Sequence, residues 1–193
     1  MFRHSLKKDI MTIPNLLSLF RLILIPVYGS AYLQATTKAE FYTAGFLMTL
    51  SCLTDLADGW IARRFRMTSQ LGMILDPLAD KLTQFSLTVF LSIRYPRLKQ
   101  IMLLLLIKEL VQLFLALHYY RRGKILPGAL MAGKVCTTVL FVSLITMAVF
   151  PDLPAEIADF LTVTDGIFLL FSFLQYWLAY VGPHPMVQDI PTE

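Results

Sequence analysis

Four aspartates form two closely spaced pairs between residues 55 and 80. Asp55 and Asp58 are three residues apart and Asp76 and Asp80 are four apart, so each pair shares one face of a helix. Carboxylates this close repel each other unless a cation neutralises them. Hard oxygen donors suit Mg²⁺, Mn²⁺ or Ca²⁺. The spacing favours a divalent metal site, and the alternative is a set of carboxylates paired with basic neighbours such as Arg63.

Small and basic residues follow the first aspartate pair. Gly59 and Ala62 would allow a bulky ligand to approach the helix backbone, although small residues in membrane helices also serve close helix packing. Arg63 carries a planar guanidinium group whose donors match phosphate oxygens. These residues therefore favour a phosphate-containing ligand beside the carboxylates.

The elements that must position these residues are long and apolar. Of the 193 residues, 56% are hydrophobic and only 16% are charged, whereas soluble domains carry about 25% charged residues. Apolar stretches recur at about the 20-residue length that crosses a bilayer as a helix. We predict an all-α, polytopic membrane protein with one domain over residues 1–193 and a core at about 14–181. Its six transmembrane helices are predicted at residues 14–35, 40–63, 71–94, 98–121, 128–150 and 158–181.

The Lys and Arg residues between these helices predict the orientation in the membrane. With the N-terminus inside, nine basic residues lie in inner segments and four lie in outer ones, which predicts cytoplasmic termini. The four aspartates then lie near the cytoplasmic ends of the second and third helices, in what we expect to be a bacterial plasma membrane. The net charge of +4 forms no basic stripe with interleaved aromatic residues, so no nucleic-acid partner is predicted.

Ionisable residues inside apolar helices indicate a polar site, because each costs several kcal/mol in lipid unless it faces a partner or a cavity. A small transporter or a lipid-binding membrane protein would distribute such charges across the membrane depth. Here the aspartates concentrate at one end of two helices. This arrangement favours an enzyme that acts on a lipid headgroup.

Together these residues form one extended pattern. They run Asp55-x-x-Asp58-Gly59-x-x-Ala62-Arg63, then eight residues, then Gly72-x-x-x-Asp76-x-x-x-Asp80. The pattern resembles the signature of the CDP-alcohol phosphatidyltransferase family, with every fixed position filled. The resemblance implies a homodimeric membrane enzyme that uses CDP-diacylglycerol, together with Mg²⁺ or Mn²⁺ and two ions per site.

The resemblance also implies a role for each motif residue. Asp80 is expected to be the catalytic base that deprotonates the acceptor hydroxyl, or else a further metal ligand. The metal ligands are expected to be Asp55, Asp58, Asp76 and Asp80. The CDP group is expected to contact Asp58, Gly59, Ala62, Arg63, Gly72 and Asn15.

Residues outside the motif suggest the acceptor alcohol. The segments 14–21 and 75–81 resemble those of the phosphatidylglycerophosphate synthases, a branch of the family that uses glycerol 3-phosphate. This chain has Lys108-Glu109 where that branch typically has Arg-Glu. A dianionic acceptor needs cations, and Lys108, Lys134 and Arg21 are predicted to bind its phosphate. Phosphatidylglycerol (which would yield cardiolipin), serine and inositol phosphate remain alternative acceptors.

Overall fold

The computed structural model describes residues 13–65, 72–126, 128–183 and 185–189, with the side chains in these ranges except those of residues 13–14, 55–65, 73 and 74. The helices of this part are α1 (Ile13–Gln34), α2 (Lys38–Phe65), α3 (Gly72–Arg94), α4 (Leu98–Tyr120), α5 (Met131–Val149) and α6 (Ala155–Val181). Two short strands, β1 (Lys124–Ile125) and β2 (Gln188–Asp189), pair antiparallel. The predicted all-α architecture is confirmed.

Four of the described helices, α1, α4, α5 and α6, are long and apolar enough to cross a membrane. The other two, α2 and α3, have 28 and 23 residues, which is also sufficient length. They carry the aspartates of the motif, which lower their mean hydropathy. Membrane crossing by α2 and α3 therefore stays a prediction.

Large hydrophobic side chains cover the outside of the described helices. Phe46, Phe114 and Phe160 are 66%, 68% and 70% exposed, whereas Ser18 and Arg21 are fully buried. A soluble protein would place such residues the other way round. This distribution matches a helix bundle whose solvent is lipid.

The chain divides into two compact units, and the first comprises the residues up to Arg94 together with Leu144–Leu153. Here α1 packs against α2 and α3. Tyr28 meets Phe90 edge to face with ring centroids 6.0 Å apart. A Cβ atom at Gly45 would lie 2.9 Å from the main-chain carbonyl carbon of Ala148, so a side chain there would separate the two segments. Glycine permits this close approach of the two backbones.

The second unit comprises Tyr95–Ser143 and the residues from Pro154 onward. Here α4 packs against α6, and the Tyr119 hydroxyl donates a hydrogen bond to the main-chain carbonyl of Tyr180 at 2.6 Å. Gly133 lies against Tyr176, whose hydroxyl would be 2.8 Å from a Cβ atom at that position. The prediction of a single domain over the whole chain stays a prediction.

Candidate active site

A polar stripe runs along α1 through an otherwise apolar sequence. Asn15, Ser18 and Arg21 follow one another at intervals of three residues, which places them on one face of the helix. All three are at most 1% exposed. Burial of an arginine and an asparagine is costly unless their polar groups find partners. The stripe therefore has to face a polar surface, and the second part of the aspartate motif supplies it.

Two side-chain contacts join α1 to the start of α3. The Ser18 hydroxyl donates a hydrogen bond to Oδ1 of Asp76 at 2.5 Å. One turn along, the Arg21 guanidinium forms a hydrogen-bonded ion pair with the Asp80 carboxylate. Both contacts join residues nearly 60 positions apart in the chain. They fix which face of α3 meets α1 and hold both carboxylates in one orientation.

The two partners in the ion pair differ in their exposure. The Arg21 side chain is fully buried, while the Asp80 side chain is 41% exposed. Asp76 is also only partly buried. The arginine therefore supports the carboxylate from the protein interior and leaves part of it accessible. An accessible carboxylate with a buried, fixed partner is suited to contact a ligand in a defined position.

The first aspartate pair lies on α2, but its side chains are outside the described part. The main chain of α2 extends to Phe65 and so includes Asp55, Asp58, Gly59, Ala62 and Arg63. Among the described side chains, no group of three potential metal ligands is found. The predicted four-carboxylate site therefore rests on two described aspartates and two whose side chains lie outside that description.

The chemistry of the donor set fits a divalent metal. All four predicted ligands are carboxylates, and the two described ones are partly accessible and one helical turn apart. Hard oxygen donors of this kind suit Mg²⁺ and Mn²⁺ rather than zinc or copper. When bound, such an ion would neutralise phosphate charge. Asp55, Asp58, Asp76 and Asp80 would hold it.

The predicted acceptor residues lie in different parts of the fold. Lys108 is 4% exposed, and its ammonium group bonds to Oε1 of Glu109 at 2.8 Å. Lys108 Nζ also lies 6.0 Å from the ring centroid of Tyr176. Lys134 is exposed on α5. Both lysines belong to the second unit, whereas Arg21 belongs to the first and pairs with Asp80.

Two residues that contact predicted site residues, one in each unit, received no role from the sequence. Ser18 bonds Asp76, and Tyr176 both approaches Lys108 and accepts a hydrogen bond from the Leu130 main-chain N–H at 3.2 Å. The signal for Ser18 was its spacing with Asn15 and Arg21. Nothing in the sequence distinguished Tyr176 from the other aromatic residues of α6.

Comparison with known proteins identifies the family. The family model for CDP-alcohol phosphatidyltransferase matches residues 11–181, which is most of the chain. The chain belongs to the CDP-alcohol phosphatidyltransferase family. It is therefore an integral membrane enzyme of phospholipid biosynthesis, and the transporter alternative is not supported. The predicted family resemblance is confirmed.

Individual relatives of this CDP-alcohol phosphatidyltransferase carry more specific names. A CDP-diacylglycerol–glycerol-3-phosphate 3-phosphatidyltransferase of Aquifex aeolicus is 30% identical over 171 residues, covering 88% of this chain and 94% of that protein. The protein of the same name from Escherichia coli K12 is 30% identical over 175 residues, covering 86% and 93%. A cardiolipin synthase (CMP-forming)/mitochondrial hydrolase fusion protein of Schizosaccharomyces pombe is 42% identical over 95 residues, covering 48% and 15%.

Proposed function

We propose that this enzyme transfers the phosphatidyl group of CDP-diacylglycerol to glycerol 3-phosphate, giving phosphatidylglycerophosphate and CMP. The observation that carries the proposal is the pair of contacts Ser18–Asp76 and Arg21–Asp80, which hold the last two carboxylates of the family motif on one face. Two relatives with glycerol 3-phosphate in their names align over nearly their whole length, which supports this acceptor.

In the proposed reaction, the chain's own residues orient the reactants and move one proton. Asp80 accepts the proton of the acceptor hydroxyl, whose oxygen attacks the β-phosphorus. The bond from that phosphorus to the oxygen of CMP breaks, and CMP leaves with the electron pair. Arg21 keeps Asp80 facing the accessible side, and Ser18 does the same for Asp76. A base must lie within hydrogen-bond reach of the proton it removes, and the partial exposure of Asp80 leaves its carboxylate accessible to such a hydroxyl.

Binding roles follow the motif. Asp55, Asp58, Asp76 and Asp80 would hold two Mg²⁺ or Mn²⁺ ions, which stabilise charge on phosphate oxygens when bound. We assign the CDP group to Asp58, Gly59, Ala62, Arg63, Gly72 and Asn15. Asn15 is 1% exposed and lies on the same stripe as Ser18, so its assignment rests on the family resemblance.

Lys108 is proposed as the main cation for the acceptor phosphate, with Lys134 as a second. Replacing Lys108 with methionine is expected to raise the KM for glycerol 3-phosphate about tenfold or more, because a charge-assisted hydrogen bond contributes about 1.5–3 kcal/mol. The KM for CDP-diacylglycerol should change little. Initial rates measured against each substrate separate the two effects.

Lys108→Arg and Lys99→Met are the matched controls. The arginine keeps the positive charge and is expected to retain most of the affinity for the acceptor. Lys99 is exposed in the first turn of α4, so its replacement should change neither KM. An unchanged KM for glycerol 3-phosphate in Lys108→Met would remove Lys108 from the acceptor site.

We propose that the site faces the cytoplasm. The positive-inside count supports this orientation, although four basic residues at the opposite helix ends oppose it. Three of the four are held locally: Lys38 bonds Asp152 at 2.7 Å, Arg94 lies 3.8 Å from Asp152, and Arg97 bonds Asp159 at 2.7 Å. The Lys38 hydrogen bond also lowers the pKa of Asp152. We further propose a bacterial plasma membrane and a homodimer.

An acceptor panel tests the proposed function. The purified enzyme receives CDP-diacylglycerol and Mg²⁺ with glycerol 3-phosphate, phosphatidylglycerol, serine, inositol phosphate or no acceptor. We expect CMP release and a new lipid only with glycerol 3-phosphate, both read by mass spectrometry. Product formed from another acceptor alone would assign the enzyme to a different branch of the family.

Phosphatidylglycerol is the second candidate acceptor. The 42% identity with the cardiolipin synthase fusion protein favours it, but that match covers only 48% of this chain. The same panel separates the two candidates, since phosphatidylglycerol would yield cardiolipin. Phosphatidylglycerol also carries no phosphate dianion, so its binding would not need the cations proposed for glycerol 3-phosphate.

A further inference from the structure

The C-terminal end of α4 carries a groove that combines apolar and cationic side chains. Phe114, Leu117 and His118 line it along the helix, and Arg121 and Arg122 lie at its end. It encloses about 230 Å³. All of these residues belong to the second unit, so the groove is formed within one compact body. Its lining offers a surface for hydrocarbon and, at one end, two guanidinium groups.

A second, more apolar groove adjoins the first and shares Leu117 with it. It encloses about 320 Å³ and is lined mainly by aliphatic and tyrosine side chains, among them Leu113, Tyr120 and Tyr180. Phe114 and Tyr120 are 68% and 62% exposed. The end of α4 therefore presents two adjoining apolar tracks, and the arginines line the first of them.

The charges of Arg121 and Arg122 are not balanced within the described part of the chain. Neither guanidinium forms an ion pair there. By contrast, Lys38, Arg94 and Arg97 each pair with Asp152 or Asp159. A guanidinium offers a planar set of donors that matches phosphate oxygens. The two exposed arginines are therefore available to bind an anion from outside the chain.

We propose that the end of α4 binds an anionic phospholipid, with its phosphate at Arg121 and Arg122 and its acyl chains along Phe114 and Leu117. A soluble phosphate would use only the arginines, whereas an anionic lipid matches both the charge and the apolar tracks. Tyrosines such as Tyr120 are enriched at the level of lipid headgroups, which agrees with a phosphate at this depth. Basic pockets at helix ends are a general means of binding such headgroups.

Native mass spectrometry of the purified full chain tests the site. The protein is titrated with phosphatidylglycerol and, separately, with phosphatidylcholine of the same acyl chains, without CDP-diacylglycerol. We expect tighter binding of phosphatidylglycerol. The double variant Arg121→Gln/Arg122→Gln should lose roughly 25-fold in affinity, because each basic residue near an anionic headgroup contributes roughly fivefold. Leu117→Gln should weaken binding of both lipids.

Arg97→Gln is the matched control, since Arg97 is exposed at the other end of α4 and pairs with Asp159. It should bind phosphatidylglycerol like the unmodified protein. Three results would each overturn the proposal. The double variant could bind phosphatidylglycerol as tightly as the unmodified protein does, or the unmodified protein could bind phosphatidylcholine as tightly as phosphatidylglycerol. Soluble glycerol 3-phosphate could also displace the bound phosphatidylglycerol. If the groove variants lost a dimer that the unmodified protein forms, while their lipid binding stayed unchanged, the groove would instead bind a second copy of this chain. None of these readouts depends on the transferase reaction, so the two proposals fail separately.

Discussion

Replacing Asp76 with asparagine is expected to lower kcat by about 10³-fold or more, the order of magnitude lost when a preorganised charge stabiliser is removed from an active site. Asparagine has nearly the same shape and can still accept the hydrogen bond from Ser18. The packing of α1 on α3 should therefore persist, while the negative charge that holds a cation is lost. CMP release with CDP-diacylglycerol and glycerol 3-phosphate measures the effect.

Asp152→Asn is the control for this variant. Asp152 is an exposed carboxylate that pairs with Lys38 and Arg94 outside the proposed site. Its replacement should leave kcat within about twofold, since surface ion pairs contribute little to stability. A variant Asp76→Asn that retained more than a tenth of the original kcat would show that this carboxylate is not part of the catalytic site.

Replacing Arg21 with methionine is expected to reduce both stability and activity. Arg21 is fully buried, and its loss removes the ion pair with Asp80. Breaking a buried ion pair costs about 3–5 kcal/mol, and the partial exposure of Asp80 should reduce this to about 2–3 kcal/mol. We expect kcat to fall about 100-fold, because a small misplacement of a reacting group has an effect of that size.

A double variant separates the two consequences of losing Arg21. Arg21→Met/Asp80→Asn removes both charges of the ion pair, so its unfolding temperature in detergent should recover toward that of the unmodified protein. Its activity should fall further, because the proposed base is absent. Recovery of activity together with stability would mean that the ion pair is structural and that Asp80 removes no proton. Arg21→Lys keeps the charge and should give intermediate values for both quantities.

The helices of this protein could be predicted from the sequence, because bilayer thickness sets a minimum length for each apolar run. Every helix of the described residues begins and ends within three residues of the predicted bounds. The sequence pattern also placed the aspartates of the motif on two successive helices, and they lie on α2 and α3. Periodicity alone could place Asp76 and Asp80 on a common face of α3, and it required no knowledge of the neighbouring helices.

The partners of these aspartates could not be predicted in the same way. The sequence assigned Arg21 to the acceptor phosphate, whereas the fold pairs it with Asp80. Helical spacing gives the angle between residues on one helix, but the rotation of α1 against α3 depends on packing, such as Tyr28 against Phe90. The role of Ser18 depends on the same rotation. The approach of Lys108 to the Tyr176 ring also depends on tertiary packing, which no motif indicates.

The most direct test of the proposed reaction counts both products in one sample. The purified enzyme is given CDP-diacylglycerol and radiolabelled glycerol 3-phosphate, and CMP and labelled lipid are measured over time. If the carboxylate site transfers a phosphatidyl group to this acceptor, both products should appear in equal amounts and be absent from Asp76→Asn. Release of CMP without labelled lipid, or equal product formation by Asp76→Asn, would contradict the proposed reaction.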